Sequence, residues 1–166
     1  FPYTTLFRSA KYFAALPQYH AVFRSCNAGS KRNVWCRNCA KCLFVCGILS
    51  PFLPPEQLSA IFGENLLERD ELREIFDGLA GFSPLKPFEC VGTQEELRFA
   101  LSLAARQYRA RGEALPALLQ YFTQHADWEA LSSDGSLLNA WNPQHEIPAA
   151  FQPYIKEMHN YAAGIA

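Results

Sequence analysis

The chain has 166 residues, 49 % of them hydrophobic and 19 % charged, with a formal net charge of −1. That size and balance specify one domain with a real core, with or without an appendage, and exclude a disordered chain. They also argue against a dedicated nucleic-acid or membrane-surface protein.

The charge is unevenly placed. From Ala10 to Pro55 stand six basic residues (Lys11, Arg24, Lys31, Arg32, Arg37, Lys41) and no acidic one, and all sixteen carboxylates lie from Glu56 onward. The longest apolar run, "CLFVCGIL", has eight residues. A membrane span needs roughly 20. Nothing resembles a signal peptide.

Residues 1–9, "FPYTTLFRS", look like the one-frame translation of a sequencing-library adapter; the alternative is a short extended strand, for which "YTTLF" has the propensity. They are set aside from the fold, and the chain is expected to be a fragment cut upstream. A short helix is predicted from Ala10 to Leu16, stopped by Pro17, and then a strand over His20–Arg24 running into Cys26. "NAGSKRNV" reads as a loop. "AKCLFVCGILS" is predicted to be a buried helix ended by Pro51, and "LPPEQLSAIFG" a helix entered at Pro54–Pro55 and stopped by Gly63. "ERDELREIFDGLAG" repeats that pattern with Leu72, Ile75, Phe76 and Leu79, and "FSPLKPFECVG" is a loop. Thr93 and Glu96 form a capping box for a long helix to about Arg111. "PALLQYFTQHADWEAL" and "PAAFQPYIKEMHNYAAG" supply one helix each, with irregular chain between them.

The chemistry concentrates in residues 35–42, "WCRNCAKC", where Cys36, Cys39 and Cys42 crowd together, with Cys46 four residues on. Thiolates repel one another, so three in one turn need a neutralising partner. A metal ion supplies it, and each Cys-x2-Cys turn presents two sulfurs to one tetrahedral ion. The fourth ligand is Cys26 or Cys46. With Cys46 the spacing matches an iron–sulfur ferredoxin, but Gly47 stands where ferredoxins have proline and a second triad is missing. A zinc site in a reduced, cytosolic protein is the reading adopted, with a redox pair as the other alternative. The basic residues nearby offset the charge of a zinc tetrathiolate, or meet the phosphates of a nucleotide substrate.

Extended to Cys26, the pattern Cys-x9-Cys-x2-Cys-x2-Cys resembles the zinc site of the PP-loop ATP pyrophosphatases that make 7-cyano-7-deazaguanine. More widely, "FRSCN", "WCRNCAKCLFV", "IFGENLL", "KPFECVG" and "WNPQHEIP" resemble, in the same order, the C-terminal half of the UDP-N-acetylmuramoyl-L-alanyl-L-glutamate epimerases, from about Val22 to Phe151. The resemblance implies a bacterial, cytoplasmic enzyme of peptidoglycan synthesis that uses ATP and Mg²⁺ to invert a terminal L-Glu to D-Glu on a UDP-linked muramoyl dipeptide, releasing AMP and diphosphate. It implies zinc on Cys26, Cys36, Cys39 and Cys42. No Ser-Gly-Gly-x-Asp-Ser phosphate loop occurs in this chain, so the fragment alone is expected to be inactive.

Within "KPFECVG", Cys90 is a candidate base for the α-proton, because thiols tune readily towards neutrality. Glu89 is a candidate base or Mg²⁺ ligand, and Lys86 a candidate substrate contact. His145, in the loop with Trp141 and Asn142, is a candidate acid, the other two being candidate substrate contacts along with Arg37 and Lys41. The expected architecture is mostly α: residues 10–50 as the end of an α/β PP-loop core carrying a four-cysteine zinc knuckle, and 51–166 as a helical C-terminal domain. The rivals are an iron–sulfur electron carrier and a zinc-knuckle nucleic-acid module. The second needs an exposed aromatic among the basic residues, for which Trp35 is the candidate.

Overall fold

The structure, a computed structural model, describes residues 5–85, 87, 91–133, 136–139 and 146–164. Its regular structure is helical: α1 Thr5–Ala14, α2 Ala40–Leu49, α3 Pro55–Phe62, α4 Arg73–Ala80, α5 Gln94–Arg111, α6 Ala117–His125, α7 Trp128–Ser133, α8 Ser136–Asn139 and α9 Gln152–Ala163. Short 3-10 turns cover Pro17–Tyr19, Ser30–Arg32, Leu66–Glu68 and Asp70–Leu72. This is the mostly α architecture expected from the sequence.

Helix α2 is the centre. Eight of its residues, from Ala40 to Leu49, are buried, because after Lys41 "CLFVCGIL" is apolar all round and has no face to offer water. It packs against α1, α3, α4 and α5. The closest approach is to α5, where a Cβ added to Gly47 would lie 2.7 Å from Leu97 Cδ1. Helix α3 ends at Gly63, whose φ of 88° is one that side chains other than hydrogen resist.

Three expectations are corrected. No strand occurs among the described residues, and His20–Arg24 is not one. The Tyr19 carbonyl accepts the N–H groups of Val22 (3.2 Å) and Phe23 (3.0 Å), so the backbone satisfies itself by coiling. A strand there would need a neighbouring strand to take those groups. The start of the fold also lies earlier. Thr5–Ser9, set aside on the sequence, are the first half of α1, and Phe7 is 2 % exposed, packed at a tilt on Phe52 and edge-on to Phe99, both at 5.1 Å. Finally, the single helix expected over "PALLQYFTQHADWEAL" is two. Ala126 is extended between α6 and α7, and Asp127 Oδ1 accepts the Ala130 N–H at 3.2 Å, starting the second helix afresh.

The capping box is present and does more than the sequence suggests. Thr93 Oγ1 accepts the Glu96 N–H (3.1 Å), and Glu96 Oε2 accepts the Thr93 N–H (3.1 Å). Glu96 Oε1 also accepts the N–H groups of Leu6 (3.2 Å) and Phe7 (3.3 Å) in the first turn of α1. One carboxylate, 3 % exposed, thus ties two helix starts together. Burial pushes the Glu96 carboxyl above its ordinary value of 4.5, against the pull of those three N–H donors. A pKa raised by folding means that the folded chain binds the proton more tightly. Its contribution is complete below about 4.5 and fades as pH rises through the folded value. The unfolding free energy of the wild type minus that of Glu96→Gln is therefore expected to fall as pH increases from 4 towards 7. A pH-independent difference in denaturant titrations would refute this.

Candidate metal centre

Four sulfur atoms meet where the loop after α1 reaches the start of α2. Cys26 lies at the end of an irregular stretch, Cys36 follows the Ser30–Arg32 turn, Cys39 is the residue before α2, and Cys42 is in its first turn. The Sγ atoms of Cys26, Cys36, Cys39 and Cys42 all lie within 4.8 Å of one another. Individual separations are 3.9 Å (Cys26–Cys39), 3.7 Å (Cys36–Cys42) and 3.5 Å (Cys39–Cys42). A tetrahedral ion with metal–sulfur bonds of about 2.3 Å requires sulfurs about 3.8 Å apart. The donor set fits, and the group can hold a metal ion.

Its electrostatics also favour a cation. Burial opposes ionisation of Cys26, but the N–H groups of Cys36 (3.4 Å) and Gly29 (3.2 Å) point at its sulfur and bring it down to about 7. Burial raises Cys39 to about 11, with the Cys36 thiol adding to the rise, and pushes Cys42 higher still, reinforced by the thiols of Cys39 and Cys26. Four thiols so placed ionise together only around a positive charge.

Cys46 stands apart. It is 0 % exposed, burial holds its pKa at about 12, and its thiol faces Asn65 Oδ1 at 3.9 Å. It acts as a small core residue. The five described cysteines are all free of disulfides.

The turn is held from outside by residues that sequence reasoning missed. Arg37, between Cys36 and Cys39, has φ of 62°, a left-handed conformation that costs a side-chain-bearing residue about 1–2 kcal/mol. Its carbonyl accepts Arg69 Nη1 at 2.8 Å. Glu64 lies between the two guanidinium groups, 3.8 Å from Arg37 Nε and 3.6 Å from Arg69 Nη1. Only Glu64 carried a hint, as part of "IFGENLL"; Arg69 is 32 residues from its partner and had none.

Arg37 is thus engaged by protein, as is Lys41, whose Nζ donates to Asn27 Oδ1 at 3.1 Å. Trp35 is 5 % exposed, packed on Phe62 (4.7 Å) and Phe23 (5.5 Å). It locks the knuckle to α3 and is closed to a nucleic-acid base. Lys86, Glu89, Cys90, Trp141, Asn142 and His145 lie outside the described residues. Nearby, Pro87 sits on α4, where a Cβ added to Gly78 would come 2.8 Å from its Cδ.

A family profile, the MurL C-terminal domain, matches residues 22–134, a span that contains all four clustered cysteines. The chain belongs to the MurL C-terminal domain family. It is 35 % identical over 167 residues to a UDP-N-acetyl-alpha-D-muramoyl-L-alanyl-L-glutamate epimerase of Micromonospora sp., covering 95 % of this chain and 36 % of that protein. Proteins of the same name from Salinispora tropica and Xanthomonas oryzae pv. oryzae are 40 % and 39 % identical, each over 64 % of this chain and 25 % of their own length. The chain therefore spans about a third or less of the curated relatives it matches. No solved structure matches it significantly. No described helix is long and apolar enough to cross a membrane.

Cobalt(II) reports directly on the sulfur set. Added to the reduced chain, it should give the intense thiolate charge-transfer band of four-sulfur coordination, unchanged in Cys46→Ser. In Cys26→Ser, affinity should fall by more than the roughly 100-fold that loss of an outer-sphere partner can cause. The reverse pattern would place the fourth ligand at Cys46.

Proposed function

We propose that this chain is the C-terminal part of an ATP-dependent epimerase that inverts the terminal L-Glu of UDP-N-acetylmuramoyl-L-alanyl-L-glutamate, and that its four cysteines hold a structural zinc ion. The family match over residues 22–134 carries the first half. The four sulfurs within 4.8 Å of one another, three of their separations being 3.5–3.9 Å, support the second. Zinc suits a closed four-thiolate site with no open position, where it contributes folding free energy and no chemistry. The buried Trp35 and the withdrawn Cys46 take away what a nucleic-acid module and a ferredoxin-type cluster would each need. We place the enzyme in the bacterial cytoplasm, where its UDP-linked substrate is made.

The chemistry explains a need for ATP. An ionised α-carboxylate makes the adjacent C–H a very weak acid, because deprotonation puts further negative charge beside an anion. In the proposed reaction a carboxylate oxygen attacks the α-phosphorus of ATP and diphosphate, with its Mg²⁺, leaves. The carboxyl group becomes a neutral acyl group, and a base removes the α-proton. A proton returns on the opposite face, and water hydrolyses the acyl–AMP linkage, releasing AMP and leaving a terminal D-Glu carboxylate still bonded to the alanyl residue. Cys90 is our choice for the base, with Glu89 or His145 as base or acid. Lys86, Arg37, Lys41, Trp141 and Asn142 are proposed substrate contacts.

The purified chain should be colourless and carry one zinc ion. It should release no diphosphate from ATP, whereas the full-length protein should form AMP only when the dipeptide substrate is present. Iron with inorganic sulfide would refute the zinc assignment. ATP cleavage by the chain alone would mean that the nucleotide site has been misplaced.

Cys90→Ser in the full-length enzyme separates the steps. Activation precedes deprotonation, so substrate-dependent AMP formation should persist at a reduced rate while deuterium from solvent no longer enters the glutamate α-carbon. The hydroxyl keeps the volume but is a far weaker acid than the thiol. Normal deuterium incorporation would transfer the role to another group.

A further inference from the structure

The cysteine turn contains one residue in a conformation that its side chain disfavours, and one distant residue bonded to it. Arg37 has φ of 62°. In that conformation its two flanking peptide groups point in different directions and do different work. The N–H on one side is hydrogen-bonded to the Cys42 sulfur. The carbonyl on the other side accepts Arg69 Nη1 at 2.8 Å. Rotating Arg37 to an ordinary negative φ would move both groups at once.

We propose that Arg69 is a positioning residue of the metal centre: by bonding the Arg37 carbonyl, it holds Arg37 in the left-handed conformation that closes the cysteine turn on the ion. This assignment rests on the metal-site reading above. Arg69 is itself fixed, because its Nε donates to Glu71 Oε1 at 2.9 Å and its Nη1 lies 3.6 Å from Glu64. A planar guanidinium with several donors can hold these partners together, which a lysine ammonium cannot do in the same geometry. The site of contact is shaped to match. Gly63 has no side chain, and a Cβ there would be 3.3 Å from Arg37 Nη1, so α3 ends without obstructing the Arg37 side chain. Arg69 touches no sulfur. Its effect on the metal passes through Arg37, by the bond to the backbone carbonyl and by the shared Glu64 carboxylate.

That route gives a test that a packing role would fail. Glycine adopts positive φ without a Cβ penalty, so Arg37→Gly should remove the need for Arg69. Zinc affinity is measured on the 166-residue chain by competition with a chelating dye, for the wild type, Arg69→Ala, Arg37→Gly and the double variant. Arg69→Ala should weaken zinc about 10–100-fold, the range for lost outer-sphere partners. Arg37→Gly alone should bind close to wild type, and the double variant should recover most of the loss. Unchanged affinity in Arg69→Ala overturns the proposal, and so does a loss that Arg37→Gly fails to restore, which would make Arg69 a general stabiliser. If Arg69→Ala does not fold, Arg69→Lys, which keeps the charge without the planar fork, is read in the same way. A wild-type chain that binds no zinc overturns the site itself, and this assignment with it.

Discussion

Four sulfur atoms within 4.8 Å of one another in a partly buried turn set the terms for everything around them. As thiols they are a cramped, weakly bonded cluster; as thiolates they repel strongly. Only a cation at their centre reconciles short distance with negative charge. The structure arranges its local resources accordingly. N–H groups of Gly29 and Cys36 converge on Cys26, Cys42 stands in the first turn of α2 where the helix dipole favours negative charge, and no carboxylate occurs before Glu56. The same turn begins α2, the helix around which the others pack, so the geometry of the sulfurs and the placement of the core are one problem.

What was legible in the sequence was local. The stops at Gly63 and Gly81, the entry at Pro55 and the Thr93–Glu96 box each act over a few residues, and each appears where the pattern put it. The buried character of α2 followed from its uninterrupted apolar run. Propensity failed where it lacked a partner: His20–Arg24 has strand-like residues but no neighbouring strand, and the backbone bonded to itself. The break at Ala126–Asp127 was hidden because the apolar pattern runs on through it.

The candidate site divided in the same way. Spacing singled out Cys36, Cys39 and Cys42 but left Cys26 and Cys46 open, since a helical turn and a long loop are both plausible closures. Three dimensions decide between them: Cys46 faces Asn65 inside the core, while Cys26 turns to the cluster. The Arg69–Arg37 bond was out of reach, because nothing in a sequence links a guanidinium to a carbonyl 32 residues away. Trp35 bears on the rival reading of a nucleic-acid module, which needed it exposed. Sequence could not tell whether it is exposed; Phe23 and Phe62 enclose it.

The bond between Glu96 and α1 has a particular kind of indifference. It uses the N–H groups of residues 6 and 7, and main-chain donors are the same whatever side chains they carry. Any helical segment entering at this place could satisfy that carboxylate, provided neither position is proline. The Phe7 ring, wedged between Phe52 and Phe99, imposes a stricter requirement of shape. Residues at the head of this fold are therefore interchangeable in one respect and selective in another. A foreign leader could dock there by its backbone alone and still betray itself by what it leaves unfilled between two rings.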